Sequence, residues 1–356
     1  RAGQEYRLYN PDIHGDWEGD DLLTYLHQYI RTGQQGYLDR AKAWVRYLKE
    51  DYRQNIGDTT GGYRTYQNDK SYGYDHSFGL GLIAWSEYAQ DPGALAVAEA
   101  MANDIDVYWS TRYENAYPPN GFQMAFYSLR QGARHLLLAT RLAAVTQKPQ
   151  WLTLRDRLIT LWMTSADWNA ARGMYWYGPW NTDVQFGVGS YAAGMRMQAP
   201  FQIGILAEAF AEAYRMTGRT DIRDRLVTMA RYVAQYGLDP STLYTGDLIG
   251  LGKDGTPFWA PTSSPSYTTA LVGLLVYGYK FTGDALLLNQ ARVFFGRGTR
   301  GDYGPVRNAC ETCVGRFLDT QFDSSTDFMY LSNGKGELQN AYRFFENGGF
   351  PTVEGA

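Results

Sequence analysis

Two histidines precede predicted helices and have acidic or aromatic residues beside them. His14 is followed by Asp16, Trp17 and Glu18 in a loop that contains glycine. His76 closes a second polar and aromatic loop, just before another predicted helix. The imidazole group has a pKa near neutrality, so it can take a proton from a weakly acidic carbon. The two positions therefore predict the mouth of a cleft in which proton transfer takes place.

β-Elimination beside a uronate carboxyl is the first chemistry that such a cleft fits. It needs a base, a proton donor for the leaving oxygen, and cations or amides that stabilise the developing enolate. The candidates for acid and base are His14, His76, Tyr72, Tyr74 and Tyr127. The candidates for charge stabilisation are Arg130, Arg196, Asn181 and Gln198.

Hydrolysis of a glycosidic bond is the alternative chemistry. It needs two carboxylates, about 5 Å apart when configuration is retained and roughly 6.5–9.5 Å apart when it is inverted. The candidates are Asp16, Glu18, Asp20 and Asp21 on one side, with Asp75 or Asp183 opposite.

Local structural roles also explain several of these residues. An aspartate directly before a helix often caps it, and Asp20, Asp21 and Asp75 all fit that position. His27 and His135 lie within helices among apolar neighbours, so we expect them to pack in the core. The loop carboxylates could hold a hard cation, but they lack an EF-hand pattern, and we predict no metal and no cofactor.

Helical hairpins position these loops. Hydrophobic residues recur at helical spacing in pairs of segments that meet at turns near residues 32, 90, 146, 217 and 282, which is a structural repeat. The predicted pairs are 20–31 with a helix from Tyr37, 78–88 with 95–108, 130–145 with 152–163, 201–216 with 222–236, and 267–281 with 286–295. A further helical segment is predicted at 337–345.

The two helices of a pair differ in character. First helices such as 78–85 and 201–210 are apolar nearly all round and contain glycine, whereas second helices such as 222–232 have one apolar stripe. This difference predicts an inner and an outer layer. We therefore predict an all-α fold, an (α/α)5–6 toroid in one domain over residues 1–356, with long loops on one rim and little strand.

This plan resembles the six-hairpin toroids of glycoside hydrolases and polysaccharide lyases over essentially the whole chain. More narrowly, the opening His14-Gly-Asp-Trp-Glu-Gly-Asp-Asp and the turn Thr32-Gly-x-x-x-Tyr-Leu-Asp-x-Ala resemble the helical domain of exo-acting rhamnogalacturonan lyase-like proteins. In that group the toroid adjoins β-sandwich domains. The resemblance implies a carbohydrate-active enzyme, and it is compatible with this chain being the helical part of a longer protein.

Long loops supply the predicted rim. They cover residues 10–20, 55–76, 110–129, 165–199 and 238–266, and loops of this length usually have a function. We predict that Trp17, Trp176, Trp180 and Trp259 lie on this rim and that at least two of them stack on sugar rings. The other predicted substrate-binding residues are Asp16, Glu18, Tyr72, Asp75, Asn181 and Gln198.

Composition limits the partners. The net charge is -4 with both signs dispersed, which argues against nucleic acid and anionic membrane surfaces. No apolar run reaches the length of a membrane span. The two cysteines, Cys310 and Cys313, lack a second ligand pair for zinc, and a local disulfide in an oxidising compartment is the first interpretation, before free thiols. A secreted or periplasmic location is expected.

The sequence therefore predicts an enzyme that cleaves an acidic polysaccharide or oligosaccharide, with lyase activity ahead of hydrolase activity. A non-catalytic carbohydrate-binding or docking toroid is the third hypothesis, because a fold does not determine a function. In the lyase hypothesis His14 and His76 face one cleft, and an arginine or amide from 127–131 or 194–198 faces them across it.

Overall fold

The computed structural model describes residues 21–55, 79–110, 129–176, 184–186, 189–246, 248–259 and 265–300. The chain divides into two compact units. Of the described residues, the first unit holds 21–55, 79–110 and 134–159, and the second holds 129–133 and those from 160 to 300. The prediction of one domain over the whole chain stays a prediction.

The first unit contains two complete helical hairpins. Their helices are α1 (Asp21–Thr32), α2 (Gln35–Asn55), α3 (Gly79–Ala89) and α4 (Pro92–Tyr108). Gly33 ends α1 in the left-handed region (φ +69°) and donates its N–H to the Tyr29 carbonyl at 2.7 Å. Asp91 caps α4 by accepting N–H bonds from Gly93 and Ala94. Helix α1 packs against both α2 and α3.

Two further helices, α5 (Leu129–Thr146) and α6 (Pro149–Thr164), form the third hairpin. Each of these helices belongs in part to the first unit and in part to the second. The second unit continues with α7 (Pro200–Thr217), α8 (Thr220–Tyr236), α9 (Pro265–Ala270), α10 (Val272–Thr282) and α11 (Ala285–Arg300). Gly218 and Gly283 end α7 and α10 with φ of +68° and +71°. The predicted helix 267–281 is instead interrupted at Leu271, so that prediction was wrong in detail.

The predicted difference between first and second helices is present in the second unit. Helix α7 buries ten of its 18 residues, whereas α8 buries seven of 17 along one stripe. A Cβ added to Gly204 would lie 2.4 Å from the Ala270 carbonyl oxygen, so only glycine permits this approach of α7 to α9. The first helix of this hairpin is therefore the more enclosed one.

The core contains one of the two histidines expected there. His135 is fully buried and accepts a hydrogen bond from Trp109 Nε1 at 2.8 Å through its Nδ1 atom. His27 is exposed on α1, so the prediction of a core histidine was wrong at that position. Its helix places it away from the stripe formed by the buried Leu22, Tyr25 and Leu26.

Strands form three small antiparallel sheets in the described part of the second unit. They are β1 (Trp168–Asn169) with β2 (Met174–Tyr175), β3 (Val184–Phe186) with β4 (Gly189–Tyr191), and β5 (Arg196–Gln198) with β6 (Ile249–Leu251) and β7 (Pro257–Trp259). Each strand has two or three residues, which confirms the prediction of little strand. Among the described helices, none has the length and apolar character to cross a membrane.

Candidate functional site

The sheet β5–β6–β7 joins two of the long loops that the sequence assigns to the rim. Strand β5 comes from the loop 165–199, and β6 and β7 come from the loop 238–266. Arg196 pairs with Leu251 and Gln198 pairs with Ile249, so residues about 50 positions apart become neighbours. The paired parts of the two loops therefore form one small sheet beside the start of α7.

Three of the predicted site residues share one face of this sheet. Arg196 and Gln198 are two positions apart on β5, and alternate residues of a strand point to the same face. Directly paired residues also share a face, and the register Gln198–Ile249–Trp259 places Trp259 on it. The structure thus brings together a predicted cation, a predicted amide and a predicted aromatic side chain.

Gln198 lies at the junction between β5 and α7 and is completely buried. Its Oε1 atom accepts the N–H of Ala199 at 2.9 Å. Its Nε2 group is also buried and has no hydrogen-bond partner in the described part of the chain. A buried donor without an acceptor costs roughly 1–3 kcal/mol. Because the Gln198 side chain is completely buried, its predicted role in charge stabilisation stays a prediction.

Trp259 is held by its indole N–H, which donates to the Tyr236 carbonyl at the end of α8 at 2.9 Å. The side chain is half-buried and is more exposed than Trp44 and Trp85, which belong to the core. A partly free aromatic face is compatible with sugar stacking, which stays a prediction.

Trp176 does not form the exposed platform that the sequence predicts. It is 1% exposed, and its ring packs edge-on against Tyr232 of α8 at a centroid distance of 5.3 Å. The prediction was wrong for this residue because Trp176 itself, directly after β2, is buried and its large apolar ring is covered by α8.

Arg130 lies in the first turn of α5 and is half-buried. Its backbone N–H donates to Gln202 Oε1 in the first turn of α7 at 3.2 Å. This bond fixes the start of α5 beside the helix that follows Gln198. The predicted role of the Arg130 guanidinium in charge stabilisation stays a prediction.

A cavity of about 240 Å³ opens between the β1–β2 turn and the β6–β7 turn. Its polar lining consists of Asn169, Arg172, Arg196 and Lys253, and three glycines and two apolar residues complete the wall. We call it the basic cavity. Among the described residues its lining includes three cations and no carboxylate, so an anion is the ligand that matches its charge.

The cations of the basic cavity keep most of their hydrogen-bonding capacity. Within the described residues, the side chains of Arg196 and Lys253 make no hydrogen bond or ion pair. Arg172 donates through Nη2 to the Gly255 carbonyl at 3.2 Å. The nearby Asp254 accepts from the N–H and hydroxyl of Thr256, and these bonds lower its pKa. The Asp254 carboxylate therefore forms its hydrogen bonds within the β6–β7 turn.

The β1–β2 hairpin is anchored by a second arginine, in what we call the Arg225 cluster. Arg225 of α8 donates to the carbonyls of Trp162 and Met163 at 2.8 and 2.5 Å and to the Tyr175 hydroxyl at 2.5 Å. Its guanidinium also lies 4.8 Å from the Trp168 ring centre. The carbonyls belong to the end of α6, so Arg225 satisfies acceptors that a helix terminus leaves open. Burial raises the pKa of Tyr175 against the opposing effect of Arg225.

The remaining predicted site residues lie outside the described residues. They are His14, Asp16, Trp17, Glu18, Asp20, Tyr72, Tyr74, Asp75, His76, Tyr127, Trp180, Asn181 and Asp183. Cys310 and Cys313 lie outside them as well. In the described ranges no group of three or more histidine, cysteine or acidic side chains is arranged to hold a metal ion.

Sequence reasoning missed Arg172 and Lys253. Both lie in hairpin turns, and the stretch Gly252-Lys-Asp-Gly255 between two apolar segments is a recognisable hairpin signal. Treating the two loops as irregular concealed that signal. Their convergence depends on strand pairing across distant parts of the chain, which no local pattern indicates.

Several solved structures share this fold. The chain is similar to a glycosyl hydrolase of family 88 from Bacteroides vulgatus, with a TM-score of 0.60 and 14% identity over 96% of this chain and 95% of that chain. It is similar to a cellobiose 2-epimerase from Bacillus thermoamylovorans, with a TM-score of 0.57 and 13% identity over 78% of this chain and 73% of that chain. A polysaccharide lyase matches with a TM-score of 0.55 and 14% identity over 92% and 89% of the two chains.

No protein-family model and no curated protein sequence matches the chain. The structural neighbours confirm the predicted fold class, an all-α protein of the α/α-toroid type, and the broad resemblance to toroid enzymes of carbohydrate metabolism. At identities of 13–14% the likeness establishes the fold alone.

Proposed function

We propose that this chain is a carbohydrate-active enzyme that cleaves an acidic polysaccharide or oligosaccharide by β-elimination at a uronic acid residue. The observation that carries the proposal is the position of Arg196 on β5, where its side chain lines the basic cavity and has no hydrogen-bond or ion-pair partner among the described residues. A cation in this position can stabilise an enolate. Neighbours named as a lyase, a hydrolase and an epimerase, all with this fold, support a saccharide substrate.

The proposed reaction assigns one role to each group. A base, His14 or His76, removes the proton from the carbon beside the uronate carboxylate, and Arg196 stabilises the negative charge that forms on the carboxylate oxygens. The electron pair then forms a carbon–carbon double bond as the bond to the glycosidic oxygen breaks. The leaving oxygen takes a proton from a donor such as Tyr74 or Tyr127. The products are a new non-reducing end with a double bond and a free reducing end.

The test follows absorbance of the unsaturated product on uronate-containing polymers, alongside a reducing-sugar assay. We expect both signals with the native protein, and a loss of about 100-fold or more in turnover with His76→Ala, the usual size of a general acid–base effect. His27→Ala is the matched control, because that histidine is exposed on α1. Near-normal lyase activity in both His14→Ala and His76→Ala would contradict the proposal.

A hydrolase is the second candidate, since a family 88 glycosyl hydrolase matches 96% of the chain. In that case the reducing-sugar signal would rise without the absorbance of a double bond. Activity would then depend on Glu18 or Asp75 rather than on the two histidines, because hydrolysis uses paired carboxylates. We also propose a secreted or periplasmic location, in keeping with a polymeric substrate and the Cys310-x-x-Cys313 pair.

A further inference from the structure

We infer that Arg172 and Lys253 complete, with Arg196, a binding subsite for the anionic group of an acidic sugar, either a carboxylate or a sulfate ester. The saccharide part of this inference rests on the proposed function. The anionic part rests on the basic cavity itself, where three cations line one space of about 240 Å³. Arg172 and Lys253 thereby become determinants of substrate charge.

The position of Arg172 is fixed by the opposite turn. Its Nη2 atom donates to the Gly255 carbonyl at 3.2 Å, and this bond links the β1–β2 turn to the β6–β7 turn. Gly255 has φ of +80°, and a Cβ there would lie 3.1 Å from the same Nη2 atom. Glycine at this position both permits the turn and leaves room for the guanidinium. The cavity wall is therefore built around Arg172.

The polar side chains of the basic cavity are all able to donate. Asn169 uses Oδ1 to accept the Arg172 backbone N–H at 3.1 Å, which leaves its amide NH2 as a donor. Arg172 has further N–H groups beyond the one used on Gly255, and Arg196 and Lys253 have no partner within the described chain. A set of donors with excess positive charge is complementary to an acceptor that is itself charged.

The size and chemistry of the cavity select the ligand class. Its volume lies below the roughly 300–1,000 Å³ of pockets that enclose drug-sized ligands, so it fits one charged substituent with part of its sugar ring. Carboxylates and sulfate esters supply oxygen acceptors for the arginine N–H groups, whereas a neutral hydroxymethyl group leaves the charge uncompensated. The cavity therefore distinguishes acidic sugars from neutral ones.

Matched monosaccharide probes test this inference without a cleavable bond. Galacturonic acid, its methyl ester and galactose 6-sulfate are titrated by ligand-observed NMR at low ionic strength. We expect the acid to bind at least tenfold more tightly than the ester, because a hydrogen bond to a charged group contributes about 1.5–3 kcal/mol and 1.4 kcal/mol is tenfold. A preference for galactose 6-sulfate over galacturonic acid would assign the subsite to a sulfate ester.

Two variants and two controls locate the binding. Arg172→Gln and Lys253→Gln should each weaken binding of the acid about tenfold and leave the weaker binding of the ester unchanged. The controls Arg231→Gln and Lys42→Gln remove exposed cations outside the cavity and should change neither. Raising the salt concentration should weaken binding of the acid, because exposed ionic contacts are screened. Circular dichroism confirms that each variant is folded.

Equal binding of acid and ester, or unchanged binding of the acid in both Arg172→Gln and Lys253→Gln, would overturn the subsite. Its failure is separable from failure of the proposed function. Charge-selective binding with no unsaturated product from any uronate polymer would retain the subsite and reject cleavage. Product formation with an unchanged KM in both variants would retain cleavage and reject the subsite.

Discussion

The β1–β2 hairpin contributes to two groups of cationic side chains that use their charge differently. Through Trp168 and Tyr175 it contributes to the Arg225 cluster, where the guanidinium donates to two helix carbonyls and a hydroxyl. Through Asn169 and Arg172 it lines the basic cavity, where Arg196 and Lys253 have no partner in the described chain.

Arg225 is therefore a structural cation, whereas the cations of the basic cavity are available to bind a ligand. The hydrogen bonds of Arg225 join the end of α6 to the β1–β2 hairpin. These donors are therefore occupied within the protein and are not available to a ligand. In the basic cavity Arg172 donates to the Gly255 carbonyl, whereas Arg196 and Lys253 have no partner among the described residues. Holding these like charges together is unfavourable without an anion. The Arg225 cluster holds the β1–β2 hairpin in place, and the turn of that hairpin forms one wall of the basic cavity.

The largest effect should come from Arg225→Met. This change removes the Arg225 bond to the Met163 carbonyl and one of the two donors to the Trp162 carbonyl, which keeps the Tyr175 hydroxyl at 2.9 Å. We expect a loss of roughly 2–4 kcal/mol in the free energy of unfolding. Denaturant titration followed by circular dichroism measures it. Arg223→Met is the control on the same helix: its guanidinium pairs with the exposed Asp224 and lies 6.0 Å from the Tyr214 ring centre, and the expected change is within about 1 kcal/mol. Equal stability of both variants would show that the Arg225 cluster does not stabilise the fold.

A smaller effect should come from Tyr175→Phe and should depend on pH. The phenol has a raised pKa in the folded protein because it is buried. The unfolded chain ionises this tyrosine near pH 10, so the stability it contributes is complete below about pH 10 and falls as the pH rises above it. The slope for one group approaches 1.36 kcal/mol per pH unit.

Stability curves between pH 8 and 11 for the native protein and Tyr175→Phe isolate this contribution. The decline above about pH 10 should be shallower in the variant. Tyr232, whose pKa burial also raises, keeps its own contribution in both proteins. Parallel curves for the two proteins would contradict the assignment.

The smallest effect on stability should come from Arg196→Gln, within about 0.5 kcal/mol, because no described contact of the guanidinium is lost. The same change should slow β-elimination about tenfold or more, since a charge-assisted bond to the substrate disappears. Thermal unfolding and turnover are measured on the same samples. A stability loss as large as that of Arg225→Met would show that Arg196 is structural. The basic cavity would then not differ from the Arg225 cluster in the role of its cations.

The sequence by itself determined the helical hairpins. Spaced apolar residues predicted α7 and α8, and Gly218 and Gly283 lie in the predicted turns, where both have left-handed backbone conformations. Helix formation depends on residues three and four positions apart, and a turn depends on a single backbone conformation. Both kinds of information are local, so they can be read from a short stretch of chain.

Tertiary structure decided what the long loops do. The pairing of Arg196 with Leu251 places one predicted cation beside Lys253, which no local pattern connects with it. Trp176 has the same loop character as Trp259 in the sequence, yet one is covered by α8 and the other stays half-exposed. Burial and strand register depend on contacts between distant segments, so the composition of a loop indicates candidate residues while the fold selects among them.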